Sequence, residues 1–495
     1  MNITAESISL SITVIACVFI TVGGLIGLAR GGKRAAIHIF TAAAAALLAF
    51  FVSAPIAAGM NGLISRISKA KMQNAEAPDL SEIPALDELS QKLPVSLAAP
   101  MIFTTVFVSA LVAFSVIAAI IIWAVKKRTG SSPVDAGKTE AVSRLCGFIF
   151  GAVRGLIIIA VLLVPAVGYI GIAADTTVAL RENGDLPAMY DDVCEAGENY
   201  VIPLSNSGFV GFLSRFGGRQ AVTGITSFKI NGERILPNEE IPRLACIAAD
   251  ATPLLYEDPQ NYGAAQMKSI DKLSAAFADD GLIKNILADV LSGMSRKWRA
   301  GEQFLGASKP QLDERAMPVL DKFLEIASEI SADELGGEIV TVGELAKMLI
   351  ENRDILTAST GVDDIGGRLL ASGVVEKFCT TVKQSKLFSP LADYSLGIWM
   401  KYLGEQLGVS DEGSEKGAVL AAELTEKLNR ALAGDSEALS ELTDGIKRIA
   451  DENGFEIDEA ALPLIGEFII NYFSGSESVS EEELMRMFSE GAAKN

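Results

Sequence analysis

The sequence predicts a mainly α-helical, polytopic membrane protein: four transmembrane helices, then a large acidic, mostly helical extramembrane region containing one small β-hairpin. Three observations predict it. Of the 495 residues, 49% are hydrophobic and only 21% charged, and mean hydropathy is +0.34 although the net charge is -20. Charge is unevenly spread: of 42 basic and 62 acidic residues, positions 1–173 hold 13 and 8, leaving 29 and 54 for the rest. Finally, four nearly uncharged runs fall within the first 175 residues. Each exceeds the roughly 20 apolar residues that span a bilayer, and an ordinary soluble domain does not hold four of them.

The first run, Ile8–Ala29, carries no charge. It reads as a retained helix rather than a cleaved signal, because only Glu6 is charged in Met1–Ser7 and the far end is Gly-Leu-Ala-Arg-Gly-Gly-Lys-Arg. The second, Ala35–Met60, has only His38, the sole histidine of the chain. The third, Leu93–Val125, is uncharged, and the fourth, Leu145–Ala174, carries only Arg154. Pro55 and Pro165 are expected to loosen the outer ends of their helices. Arg30, Lys33 and Arg34 follow helix one; Lys126, Lys127, Arg128, Lys138 and Arg144 join helices three and four. The longer link, Asn61–Ala99, holds only Arg66, Lys69, Lys71 and Lys92. The bias of Lys and Arg toward cytoplasmic loops then places both termini and the acidic region outside the cell membrane. Asn61–Gln73 fits either a helix lying in the headgroup layer or a short extension of helix two.

The most specific feature is a near-repeat, G-x-x-x-G-x-x-R-G. It occurs as Gly23, Gly27, Arg30 and Gly31 at the end of helix one, and as Gly147, Gly151, Arg154 and Gly155 at the start of helix four. Glycines four apart share a helix face and let another backbone approach. Opposite helix directions put both signatures at the cytoplasmic end, where they can meet as an antiparallel pair; self-association into a homo-oligomer is the competing use. Arg30 at a helix end reaches the interface. Arg154 lies deeper, and either snorkels to the headgroups or binds an anion, a lipid headgroup or a helix C-terminus. His38 is either a neutral ring bonded to a neighbouring helix or a proton-sensitive group.

Gly27-Leu-Ala-Arg30-Gly31 and Ser143-Arg144-Leu-Cys-Gly147-Phe-Ile-Phe-Gly151-Ala-Val-Arg154-Gly155 resemble the colicin V production protein family, bacterial inner-membrane proteins with four transmembrane helices. The resemblance covers about Ile8–Gly171. It departs at helix one, which lacks an Asp near its start, at Gly32 in place of an aromatic residue, and at Ser143 in place of Asp or Asn. The resemblance implies a link to toxin production or export and to upkeep of the cell envelope.

Beyond the membrane region, a lobe over 175–405 and a C-terminal lobe over 406–495 are expected, parted by the breaker-rich stretch Gly404–Gly417. Helical spacing marks Val319, Leu320, Phe323, Leu324 and Ala327, and again Leu439, Leu442, Ile446 and Ile449. Thr341-x-x-Glu344 and Ser480-x-x-Glu483 read as capping boxes, and Gly434 as a helix stop. Phe228–Leu236, with Asn231-Gly232 at its centre, reads as a hairpin. Phe209, Phe212 and Phe216, among glycines in Ser207–Gly218, are expected in the lobe's own core, with docking against the bilayer surface or the helix bundle as the alternative.

The search for chemistry is largely negative. Histidine is absent after position 38, so Ser-His-Asp, Cys-His and His-metal sites cannot be built in the acidic region. Cys194, Cys246 and Cys379 lack C-x-x-C spacing and are expected as buried thiols. Gly137-Lys138-Thr139 has Ser132 where a phosphate loop needs its first glycine. Asp451-Glu-Asn453-Gly454 places Ile449 and Ala460 where a calcium loop needs acids. Asp279-Asp280 and Asp363-Asp364 are expected as solvated loop residues. No catalytic residue, metal or cofactor is therefore expected. The acidic surface excludes nucleic acid as a partner and leaves the bilayer and envelope or secretion proteins. The expected function is a non-enzymatic scaffold, with a transporter or channel subunit, Arg154 and His38 lining its path, as the alternative.

Overall fold

The computed structural model describes residues 4–60, 82–129, 137–184, 186–312, 316–356, 372–406, 415–452, 461–474, 478–482 and 484. Asn61–Gln73, Asp363-Asp364, Asn453-Gly454, Glu483 and the middle of Gly404–Gly417 lie outside them. The chain divides into two compact units, Met1–Thr252 and Pro253–Asn495.

Four helices of the first unit are long and apolar enough to cross a membrane: α1 (Ala5–Arg30), α2 (Gly32–Gly59), α3 (Pro84–Thr129) and α4 (Gly137–Leu162). Thr4 and Ser7 form a capping box at the start of α1. Gly31, at φ +75° and ψ 160°, turns α1 directly into α2, a backbone conformation open to glycine alone. The outer faces are greasy: Phe40 is 74% exposed and Phe51 70%. With about 20 consecutive apolar residues per helix, such faces are at home in lipid, not water.

The fourth run does not continue to Ala174 as one helix. It breaks at Leu163, and α5 (Val164–Glu182) begins with Pro165 in its first turn. The proline has no N–H to give the carbonyl of Val161, and the hydroxyl of Thr104 on α3 donates to that carbonyl at 3.4 Å. Helix α3 has 46 residues, about 69 Å of helix, well beyond the roughly 45 Å of a whole bilayer. A collar follows, made by α5 and by α6 (Asp191–Ala196), α7 (Ile202–Asn206), α8 (Gly208–Leu213) and α9 (Arg219–Thr226) with their π-helical links; α5 and α9 pack on α3, and α7 and α8 on α1. Strands β1 (Phe228–Ile230) and β2 (Glu233–Ile235) and helix α10 (Pro237–Tyr256) follow.

The collar is tied to α3 by polar contacts. Lys92 Nζ donates to the Lys229 carbonyl at 2.7 Å, Ser96 Oγ to that of Thr226, and Tyr169 Oη to that of Leu97 at 2.5 Å. The hairpin pairs Phe228 with Ile235 and Ile230 with Glu233. Asn231 (φ 49°) and Gly232 (φ 86°) take the left-handed conformations that a two-residue hairpin turn needs.

Phe209, Phe212 and Phe216 depart from expectation. Their rings stack in series, 5.6 and 4.5 Å between centroids, but Phe216 is 75% exposed and Phe212 is exposed as well. The segment docks on α1, where Ser207 Oγ donates to Ser9 Oγ at 3.0 Å and the Phe209 N–H to Thr13 Oγ1 at 3.1 Å. Helical spacing correctly put the three rings on one face, but that face is not a core.

In the second unit, α11 (Ala264–Asp279), α12 (Gly281–Arg299), α13 (Ala316–Glu329) and α14 (Ala332–Glu351) pack around Leu324 and Ala327. After α15 (Arg353–Leu356) come α16 (Val374–Lys383), α17 (Phe388–Gln406), α18 (Glu415–Leu432), α19 (Ser436–Glu452) and α20 (Ala461–Phe473). The core of the last helices contains Leu428, Leu442, Ile446, Leu462 and Ile469. Gly434 (φ 92°) stops α18 and Asp435 caps α19 through the Glu437 N–H.

Two local readings are corrected here. Thr341 lies in the middle of α14, which runs unbroken; the capping box is Ser331 with Glu334 (3.1 Å from the Ser331 N–H). The β-branched run Ile339-Val340-Thr341 imitates a break, but burial along the length of the helix, at Leu335, Thr341 itself and Met348, holds it. Asp280 is fully buried and caps α12 through the Ile283 N–H at 2.9 Å, so it is no solvated loop residue.

Candidate functional site

Helices α1 and α4 form the most extensive helix pair among the described residues, and they run antiparallel. A Cβ built on Gly23 would stand 2.5 Å from the Gly151 carbonyl oxygen, and one on Gly155 2.6 Å from that of Phe19. At Gly27, Gly147 and Gly151 it would overlap the opposite backbone outright. The two backbones therefore touch, which only residues without side chains permit. Gly31 has another task, the turn between α1 and α2. Two further residues, one of them the first of the second signature stretch, complete the seam. Gly24 lies under the Phe148 ring, and Ser143 Oγ accepts the otherwise orphaned N–H of Gly32 at 3.2 Å. The pairing with Ser143 spans 111 positions, so nothing local announces it.

Beside this seam lies a cavity of about 220 Å³ among α1, α2 and α4. Arg30, His38 and Arg154 all line it, together with Gly23, Gly27, Gly151 and Gly155. The polar residues that the sequence singles out thus come together. Because Gly155 faces Phe19 and Ile20, Arg154 is level with Ile20, ten residues or about 15 Å from the Arg30 end of α1. In hydrocarbon about 30 Å thick, that is close to mid-depth. Its guanidinium reaches Ser115 Oγ at 3.5 Å, a long contact, and its Nε has no partner. His38 is 9% exposed and its Nδ1 also lacks a partner.

The second unit has a larger cleft of about 670 Å³, walled by Leu345, Phe378, Phe388, Leu391 and Phe468. Among the described residues its lining is apolar, with Ser395 as the one polar member. None of the five cysteines forms a disulfide. Burial pushes the Cys379 thiol up, against the opposing pull of Lys383, which keeps it protonated. Among the described residues no group of three His, Cys, Asp or Glu is placed to hold a metal ion.

Four apolar helices with a glycine seam and a cationic pocket define a multi-pass α-helical membrane protein. Residues 12–183 match the family model of the colicin V production protein, so the resemblance read from the two Gly/Arg signatures holds over the membrane region. The match ends within the first compact unit and leaves the acidic remainder outside. No curated protein and no solved structure matches the chain.

Proposed function

We propose that this protein is a non-enzymatic accessory factor of the bacterial cell membrane, serving toxin production or export and envelope upkeep. The match of residues 12–183 to the colicin V production family carries this reading. In it, the helix bundle is an anchor and the acidic helical region recruits envelope or secretion proteins on the extracytoplasmic side. Arg30, Lys33, Arg34 and Arg144 at one end of the bundle support that orientation. Self-association through the glycine faces would require the intrachain seam to open.

Protease added to right-side-out vesicles should digest the C-terminal region; complete protection of an accessible, folded protein reverses the topology. Truncation after Tyr256 keeps α10 whole and removes the rest of the second unit. A scaffold then loses its effect on toxin export. The alternative, a transporter or channel subunit, draws support from Arg154 and His38 sharing one cavity; such a bundle would keep its activity after the same truncation.

A further inference from the structure

The cavity beside the glycine seam holds an unbalanced charge. The spans Ile8–Ala29, Ala35–Met60, Met101–Val125 and Leu145–Leu162 contain no Asp or Glu. Among the described residues, no carboxylate lines the cavity either; its charged or titratable members are Arg30, Arg154 and His38. An arginine near mid-depth without a counter-charge is expensive in hydrocarbon, and such residues face a partner or a water-filled space. Among the described residues the one polar contact of Arg154 is the long one to Ser115. A second observation points into the same space: His38 is nine-tenths buried and its Nδ1 has nothing to bond. A buried polar atom left in that state costs a lost hydrogen bond and its desolvation. Donors in excess, acceptors lacking and room between them suit an anion.

We propose that the cavity binds a phosphate group, held by Arg154 and Arg30 with His38 as a third donor. The planar guanidinium fork suits phosphate oxygens. The group comes either from an anionic phospholipid entering at the Arg30 end or from free phosphate. This site is independent of the accessory role and stands if that role fails.

The test uses the full chain in nanodiscs and reads thermal unfolding. One arm adds inorganic phosphate to discs of phosphatidylcholine; the other replaces part of that lipid with phosphatidylglycerol, without phosphate. Binding to the folded state raises the melting temperature. A rise in the first arm identifies the free ion as sufficient, and a rise only in the second identifies the headgroup. Arg154→Met should abolish the rise without melting lower than wild type in neutral discs, because it removes the unpaired charge. Arg30→Gln should weaken apparent affinity about tenfold or more, the worth of one charge-assisted bond, and it serves equally should Arg154→Met fail to fold. Lys33→Gln, outside the cavity, should leave the response intact. No rise with either anion overturns the proposal. So does a wild-type response in both Arg154→Met and Arg30→Gln, or a response lost equally in Lys33→Gln.

Discussion

The membrane bundle and the second unit are both helical, yet the α1–α4 seam of the first is built by the opposite means from the core of the second. In the bundle, α1 and α4 meet through Gly23, Gly27, Gly147 and Gly151 with no side chain between them, and large apolar residues such as Phe40 and Phe51 point away. In the second unit, Leu324, Leu428 and Leu442 are residues hidden at the contacts, and glycines either face open space, as Gly337 does, or meet a neighbouring side chain, as Gly343 meets Ser274. The solvent explains the inversion. Water drives leucine inward, at roughly 25 cal/mol per Å² of apolar surface removed from it. Lipid tails offer leucine no such gain, so close approach of backbones and van der Waals contact decide instead.

The sharpest way to break this comparison is a bulky residue in the seam. Gly27→Val would force a Cβ into the Gly147 carbonyl, and neither backbone can give way by side-chain rotation. The expected loss is at least about 3 kcal/mol, read by denaturant titration in mixed micelles, with Gly59→Val, which meets nothing within 4 Å, as the control. A mutant seam that melts like wild type would show that the glycines are incidental.

Next in size is the reciprocal pair of leucine-type truncations. Leu324→Ala empties a fully buried position and should cost about 2–5 kcal/mol in urea unfolding. Phe40→Ala removes a larger side chain from a lipid-facing position and should change bundle stability by less than about 1 kcal/mol. Equal losses in the two would refute the two-solvent account. Glu338→Ala comes third. Glu338 is 5% exposed and accepts from Ser385 Oγ and, at 2.7 Å, from the Lys386 N–H, so it secures the link between α16 and α17. Its removal leaves buried donors unpaired, for about 2 kcal/mol.

These contrasts also show what the sequence made legible. Hydropathy identified the four spans because each is longer than any soluble core element needs. The Asn231-Gly232 turn was legible because few residues accept its two positive φ angles. The facing glycines were legible through spacing, since the property that matters there is an absence of side chain. Partners were not. The spacing of Phe209, Phe212 and Phe216 specified a face but not what lies against it, and α1 is nearly 200 positions away. Thr341 and Ser331 both head a T/S-x-x-E pattern; only tertiary packing along α14 decides which one begins a helix. Ser143 and Ser115, which complete the seam and touch Arg154, are ordinary serines until the helices assemble.

A gentler probe reverses the sign. Gly337→Ala, with open space around it in α14, should stabilise the second unit by about 0.5–1 kcal/mol, because alanine gives up less backbone freedom on folding. The matching change at Gly151 in the bundle should destabilise. One substitution with opposite signs in the two regions isolates the role of space from that of helix propensity.

The smallest effect is in acid. The bonds from the Lys386 ammonium, then from the Ser331 N–H and hydroxyl, hold the Glu334 carboxyl down from its usual 4.5 to about 2. A depressed carboxyl contributes stability that is present above its unfolded value and is lost as pH falls through its folded one. The Glu334 contribution should therefore be complete above about pH 4.5 and fade toward pH 2. Glu334→Gln should flatten the acid limb of the second unit in that window, the variant falling furthest below wild type at neutral pH and converging with it toward pH 2. The pair is exposed to solvent, so added salt should shrink the difference between wild type and variant. The four spans contain no carboxylate, so the bundle, followed separately by a probe at Cys17, should show no counterpart in the same pH range. An acid transition of equal size there would mean that the two regions share more of their electrostatics than their separate cores imply.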